Sequence, residues 1–267
     1  MTAAAGAARS SSALPGLRRI ITIAAPFVVL ALLWEFASLF FPSFLFPSLI
    51  DVFSLCLSIF SSWAQFADVL ATVVRILAGL AGAFVIGAAL ALAMVRSRAV
   101  DQFCAPILTF FQGIPALSWV VFAIIWFHGI EWRIFFIMVM TTLPAFTFQV
   151  LGALRAMSKD LLEMVMSFRP TRGRLFRVMI LPSILPEILT AWKVNLGNAS
   201  RVVVVAELVG ATGGVGYQLL QQQQLFDMAG ALAWTLQLVL FVLIMQRILS
   251  FIETVAFRYR AVSERSL

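Results

Sequence analysis

Charge is what this sequence has least of. Only 12% of its 267 residues are Asp, Glu, Lys or Arg, against 62% hydrophobic, and the mean hydropathy is +1.02. Such a balance excludes a soluble domain and places the chain among polytopic membrane proteins. The single histidine, His128, excludes a multi-histidine metal site, so no metal is expected. It falls at the outer edge of a span, as an interface residue. The only two cysteines, Cys56 and Cys104, fall on opposite sides of the membrane in the topology derived below; no disulfide is expected, and both read as small packing residues. No Lys-Ser/Thr follows the glycines of GATGGVG at 210–216, and no Walker-type sequence occurs elsewhere, so the chain has no means of hydrolysing ATP by itself. Paired catalytic carboxylates and a Ser-His constellation are missing, which argues against an intramembrane enzyme. The absence of internal repeats argues against a proton-driven secondary transporter, although Glu187 and Glu207 could serve one as relays.

What is present is a series of long apolar runs. At about 20 residues per span, the length suits about six transmembrane helices in an all-α fold. The expected spans run from about Ile20 to Phe40, Val69 to Val95, Ile107 to Phe127 (interrupted by Gly113 and Pro115), Ile134 to Leu154, Ile184 to Val209 and Met228 to Val255. Residues 1–17 read as a disordered N-terminus, 18–261 as one transmembrane domain and 262–267 as a tail. The first apolar run is too long for a signal peptide and reads as an uncleaved span. The Pro- and Ser-punctuated stretch after Phe40 and the segment from Gly210 to Asp227 read as connections. Gly79, Gly82, Ala83, Gly87 and Ala91 would let helices approach closely. Trp63, Trp119, Trp126 and Trp132 suit interfacial anchoring.

Orientation follows from the basic residues. Arg9, Arg18, Arg19, Arg96, Arg98, Arg155, Lys159, Arg169, Arg172, Arg174, Arg177, Arg258, Arg260 and Arg265 fall on one side, and Arg133 alone on the other. Both termini are therefore expected in the cytoplasm. The formal charge of +7 is accounted for by topology, and nucleic acid is excluded as a partner.

The longest charged stretch, within 157–183, separates spans four and five. Ser158 is a plausible N-cap with Asp160 in the first turn, and Leu161, Leu162, Val165 and Met166 give an apolar stripe at helical spacing. Pro170 and Gly173 should end this helix. A second basic, amphipathic turn then leads into Leu181-Pro182. A helix, a break and a second helix between two spans describe a structured cytoplasmic loop that docks on something; a basic loop lying on anionic headgroups is the alternative.

Polar residues at bilayer depth are costly unless paired or wet. Lys193, Ser200 and Glu207 are seven apart, a stripe that drifts only about 40° over four turns. Arg201 lies roughly 80° from Lys193, and Asn195 and Asn198 point towards the opposite side. With Arg75 in span two, these residues read either as a basic translocation path that attracts an anion or as internal pairs, for example Arg75 or Arg201 with Glu207.

Glu163, the break near 169 and Leu181-Pro182 fall where permease subunits of ABC importers carry their EAA loop: Glu-Ala-Ala, three residues, Gly, nine residues, Ile, one residue, Leu-Pro. Met164 and Val165 stand for the alanines here, Arg169 for the glycine and Met179 for the isoleucine. Trp34-Glu35, Pro47-Ser48 with Asp51-Val52, Arg75 before Gly79, Pro106, Ile114-Pro115, Trp126 to Gly129, and Val205 to Ala211 followed by Gly214 to Tyr217 also occur in order. Together they resemble the importer permeases of the nitrate, sulfonate, taurine and bicarbonate group. Trp192-Lys193 stands where that group tends to have Leu-Arg, and Gln246 where it often has Asp. The resemblance implies a multi-pass permease of the bacterial inner membrane, not an enzyme. It implies a homodimer working with two cytoplasmic ATPase subunits, which hold the ATP and Mg, and an external or periplasmic substrate-binding protein. ATPase coupling would fall to Asp160, Leu161, Glu163, Met164, Val165, Phe168, Arg169, Gly173, Leu181 and Pro182. The path would fall to Arg75, Lys193, Asn198, Arg201 and Glu207. The solute would be a small anion, with pyrimidine thiamine precursors as the alternative.

Overall fold

The most extensive helix–helix contact among the described residues exists because glycine stands where the two helices meet. A Cβ on Gly79 would lie 2.5 Å from Met138 Cβ, one on Gly82 2.6 Å from Phe135, and one on Gly87 3.0 Å from Thr147 Oγ1. A side chain at Gly79 would collide with Met138, and one at Gly82 or Gly87 would push its neighbour aside, so the small residues let α3 (Trp63–Arg96) and α6 (Ile130–Arg155) approach along their length. Ile76, Leu80, Ile137, Met138, Phe146 and Leu196 fill the core between this pair and α9 (Leu181–Gly210). Nearer the other end of α3, Ala91 and Met94 pack with Leu108, Val150, Leu154 and Ile184.

The computed structural model describes residues 15–256, and every regular element among them is helical. The expectations for 1–14 and for the tail lie outside the described residues; Pro15 to Leu17, expected to be disordered, begin α1 (Pro15–Ser38). Proline suits a first helical position because its missing N–H would have no partner there. The stretch after Phe40 is not a bare connection. It holds α2 (Leu49–Ser61), whose N-terminus is capped by Ser48 Oγ accepting from the Asp51 N–H. Trp34 donates its Nε1–H to Pro47 O at 3.0 Å, and Glu35 accepts from Leu49 N–H at 3.1 Å, which pins the turn between α1 and α2.

Span three breaks at Gly113 and Pro115, where the interruption was expected. It consists of two helices, α4 (Arg98–Gly113), which starts earlier than the expected Ile107, and α5 (Ala116–Trp126), bent by 97°. Pro115 cannot continue α4, and it disfavours helical backbone at Ile114. Trp119 is no interfacial anchor: it is 4% exposed, in the aromatic cluster of Phe111, Phe122 and Phe136, whereas Trp63, Trp126 and Trp132 are exposed. Four described helices, Trp63–Arg96, Ile130–Arg155, Gly173–Gly210 and Met228–Val255, are long and apolar enough to cross a membrane, or five with the bent pair. The first expected span falls on α1, whose described apolar stretch is Ala24–Ser38.

The remaining elements are α7 (Lys159–Ser167), α8 (Arg172–Leu175), a π turn (Phe176–Ile180), α10 (Val215–Gln224) and α11 (Met228–Ala256). Leu181-Pro182 lies within a helix that runs continuously from Gly173 to Gly210. Pro182 has no N–H for the helical ladder and its ring crowds the preceding turn. The π turn widens the helix there, with Leu181 N–H donating to Phe176 O.

Candidate functional site

Two regions carry the polar chemistry, at opposite ends of the bundle. The first is a buried latch. Asp68, Thr72 and Arg75 stand at helical spacing on one face of α3, beside the end of α9, where Glu207 is fully buried. Arg75 Nη1 donates to Glu207 Oε1 at 2.8 Å and to Gly213 O at 2.8 Å, while its Nε and Nη2 reach Glu131 at 3.0 and 2.6 Å. Thr72 Oγ1 donates to Glu207 and accepts from Val215 N–H at 2.8 Å. Gly216 N–H donates to Glu207 Oε2 at 2.8 Å, and Gly214 N–H to Asp68 Oδ1 at 2.9 Å. Gln218 Nε2 adds a bond to Asp68 Oδ2 at 2.6 Å.

The latch exists because α10 begins inside protein. The first N–H groups of any helix lack partners within it, and those of Gly214, Val215 and Gly216 are taken up by Asp68, Thr72 and Glu207. Gly214 has φ +114, and a Cβ on it would meet Glu207 Oε1 at 2.5 Å. Glycine is required there both by backbone conformation and by space. Sequence reasoning left the pairing of Arg75 and Glu207 as one of two readings. It missed Asp68, Thr72 and Glu131, although the spacing of Asp68, Thr72 and Arg75 was a usable signal.

The other polar residues of α9 divide between two faces. Asn195 is buried, donating to Gln149 Oε1 at 2.7 Å and to Ala191 O at 2.9 Å. Ser200 bonds back to Leu196 O. Lys193 pairs with Glu253 of α11 at 2.5 Å, a partner the sequence reading did not name. Asn198 and Arg201 are exposed instead, on the same side as Glu187, Thr190 and Val194. The stripe of Lys193, Ser200 and Glu207 therefore packs into the protein, and Asn198 and Arg201 share the open face. His128 is exposed, and among the described residues no cluster could hold a metal.

The second region is the loop. Asp160, Glu163, Met164, Met166, Phe168, Arg169 and Gly173 are exposed, while Val165 and Pro182 are half-buried and Leu181 is 37% exposed. The side chain of Leu161 lies outside the described residues. Among the described residues no ion pair or side-chain hydrogen bond engages Glu163, Arg169 or Arg174, although Arg155 at the base of the loop pairs with Asp101 of α4 at 2.6 Å. α7 closes with Phe168 N–H on Val165 O and Arg169 N–H on Met166 O, and Arg169 turns the chain with φ +47. That left-handed conformation costs a residue with a Cβ roughly 1–2 kcal/mol.

The chain matches the family described as binding-protein-dependent transport system inner membrane component over residues 83–255. It is 27% identical over 208 residues to the formylaminopyrimidine transport permease protein ThiX of Halalkalibacterium halodurans, covering 78% of this chain and 83% of that one. To the taurine transport system permease protein TauC of Escherichia coli it is 27% identical over 149 residues, 56% of this chain and 54% of that one. Among solved structures, an inward-facing MetNI methionine ABC transporter superposes with a TM-score of 0.61 at 19% identity, over 74% of this chain and 97% of that chain. That likeness establishes the shared helical fold.

Proposed function

The chain belongs to the family of binding-protein-dependent transport system inner membrane components, and on that premise we propose that it forms the path for a small anionic solute in an ABC importer. It is a multi-pass transport subunit of the inner membrane, not an enzyme. In our reading two copies pair as a homodimer, two cytoplasmic ATPase subunits bind ATP and Mg, and an external binding protein delivers the solute. Loop 157–183 lies on the cytoplasmic side with both termini and seats in a groove of each ATPase. Closure of the ATPase pair pushes the two loops together, and the bundles rock as rigid bodies between inward- and outward-facing states.

One observation supports this above the others. The loop is a helix–break–helix with an exposed surface, at the end of the bundle opposite the latch, in a chain without a nucleotide-binding motif. Energy has to enter from a partner, and this is the surface available to one. For the path, we assign Asn198 and Arg201 to the solute, because they occupy the open face of α9; Lys193, Arg75 and Glu207 hold the framework around it through their ion pairs. A cation at that depth without a carboxylate partner among the described residues favours an anion. The likeness to a formylaminopyrimidine permease favours a second reading, in which Asn198 hydrogen-bonds a neutral pyrimidine.

The deciding experiment is purification of the tagged chain in detergent from its native membrane, with ATPase activity assayed on the eluate. An ATPase that co-purifies, and is lost in Glu163→Ala, supports the reading. A chain that elutes alone and inert overturns it.

A further inference from the structure

Arg169 presents a conflict that the isolated chain does not resolve. Its φ of +47 belongs to the left-handed region, where glycine is free of strain and arginine is not. No compensation is visible: among the described residues its guanidinium has neither an ion pair nor a side-chain hydrogen bond, and the side chain is exposed. Immediately before it, Phe168 is 80% exposed, the highest value among the described large apolar residues. Lipid does not account for this phenylalanine, because the segment around it carries Lys159, Asp160, Glu163, Arg169, Arg172, Arg174 and Arg177. Five basic residues against two acidic ones leave the segment positive. An aromatic ring and a strained cation therefore project side by side from the tip of a break.

We propose that Phe168 and Arg169 form a two-point plug, in which the ring enters an apolar pocket on the ATPase subunit and the guanidinium meets a carboxylate at its rim. This rests on the docking reading above and goes further: it specifies an acidic groove on a dedicated ATPase, in place of one shared among permeases. The pairing offsets the backbone strain only in the complex. Guanidinium and carboxylate match as a bidentate pair, and an aromatic anchor beside a charged contact is the usual composition of a binding hot spot.

The test uses the complex purified in detergent, with retention of the ATPase subunit measured over a series of salt steps. The chains compared are unchanged, Arg169→Gly, Arg169→Lys and Phe168→Ala. Glycine suits the backbone better than arginine, so Arg169→Gly leaves the melting temperature of the chain level or higher. A purely structural residue would then bind as well or better. The plug predicts the opposite: retention falls about ten-fold or more, the factor expected from losing one charge-assisted hydrogen bond, and the remaining binding loses part of its salt dependence. Arg169→Lys recovers some of the loss, and Phe168→Ala loses retention without changing the salt dependence. Full retention by Arg169→Gly overturns the plug while leaving docking intact. No ATPase on the unchanged chain overturns docking itself. If Arg169→Gly keeps its ATPase but binds less to phosphatidylglycerol vesicles, the tip rests on headgroups and the plug is overturned.

Discussion

The latch and the loop carry similar residues under opposite rules. At the latch, Arg75 is 11% exposed and is held by two carboxylates and a carbonyl; the backbone N–H groups of Gly214, Val215 and Gly216 all end on side chains. At the loop, Glu163, Arg169 and Arg174 face solvent with no ion-pair or side-chain hydrogen-bond partner among the described residues, and one backbone angle is unfavourable. A buried network of this kind costs much to form and much more to break in part, because each deletion strands the groups that remain. The loop has nothing to strand. One end of the molecule is completed by itself; the other is left open to a partner.

That contrast is breakable by mutation, and the largest effect belongs to the latch. Glu207→Ala leaves the Arg75 guanidinium, Thr72 and the Gly216 N–H without their buried acceptor; a loss of about 3–5 kcal/mol is expected, read as a large fall in melting temperature in detergent. An unchanged melt would show that water replaces the carboxylate and that the site is wet. Next comes Gly214→Ala, which places a Cβ 2.5 Å from Glu207 Oε1 at φ +114 and should cost about 2 kcal/mol by the same melt. Glu131→Gln should cost no more than about 1 kcal/mol, since its side chain is 68% exposed and solvent screens the pair. Smallest in stability is Glu163→Ala, within about 0.5 kcal/mol of the unchanged chain, although it should release the ATPase in a pull-down. If Glu163→Ala lowered the melt as far as Glu207→Ala, the loop would be part of the self-supporting structure and the contrast would fail.

The same contrast explains what the sequence made legible. The loop was readable because its information is local: an acidic first turn at Asp160, a break after Ser167 and a basic second turn from Arg172. Even the backbone turn was indicated, since Arg169 stands where the resembling family has glycine and does adopt a glycine-like φ. The latch was only half readable. Arg75 and Glu207 stood out as charges at bilayer depth, but their union needs α3 to lie beside α9, a fact of packing that no spacing records. Glycine-rich GATGGVG hid the start of α10, because its Gly214 looks like loop until Asp68, Thr72 and Glu207 supply the acceptors for a helix N-terminus. α2 was hidden in the same way by the prolines before it, Pro42 and Pro47, and by its own serines, although Ser48 acts as its cap. Gly113 and Pro115 announced a break, and only the packing of Leu108 and Trp119 into separate clusters set its angle at 97°.

The continuous helix from Gly173 to Gly210 has a mechanical consequence. Its 38 residues make a shaft about 57 Å long, with the loop's second half at one tip and Glu207 close to the other. Torque applied at Arg174 has first to pass a compliant stage, the π turn at Phe176–Ile180, where five-residue bonding leaves the backbone under-wound. Restoring ordinary winding there would turn the rest of the shaft by up to about 100°. A partial turn is enough to swing Asn198 and Arg201 about the axis while pulling on the latch at the far tip. If the loop is pushed and the open face of α9 meets the solute, as proposed, the wide turn would act as a gear between them.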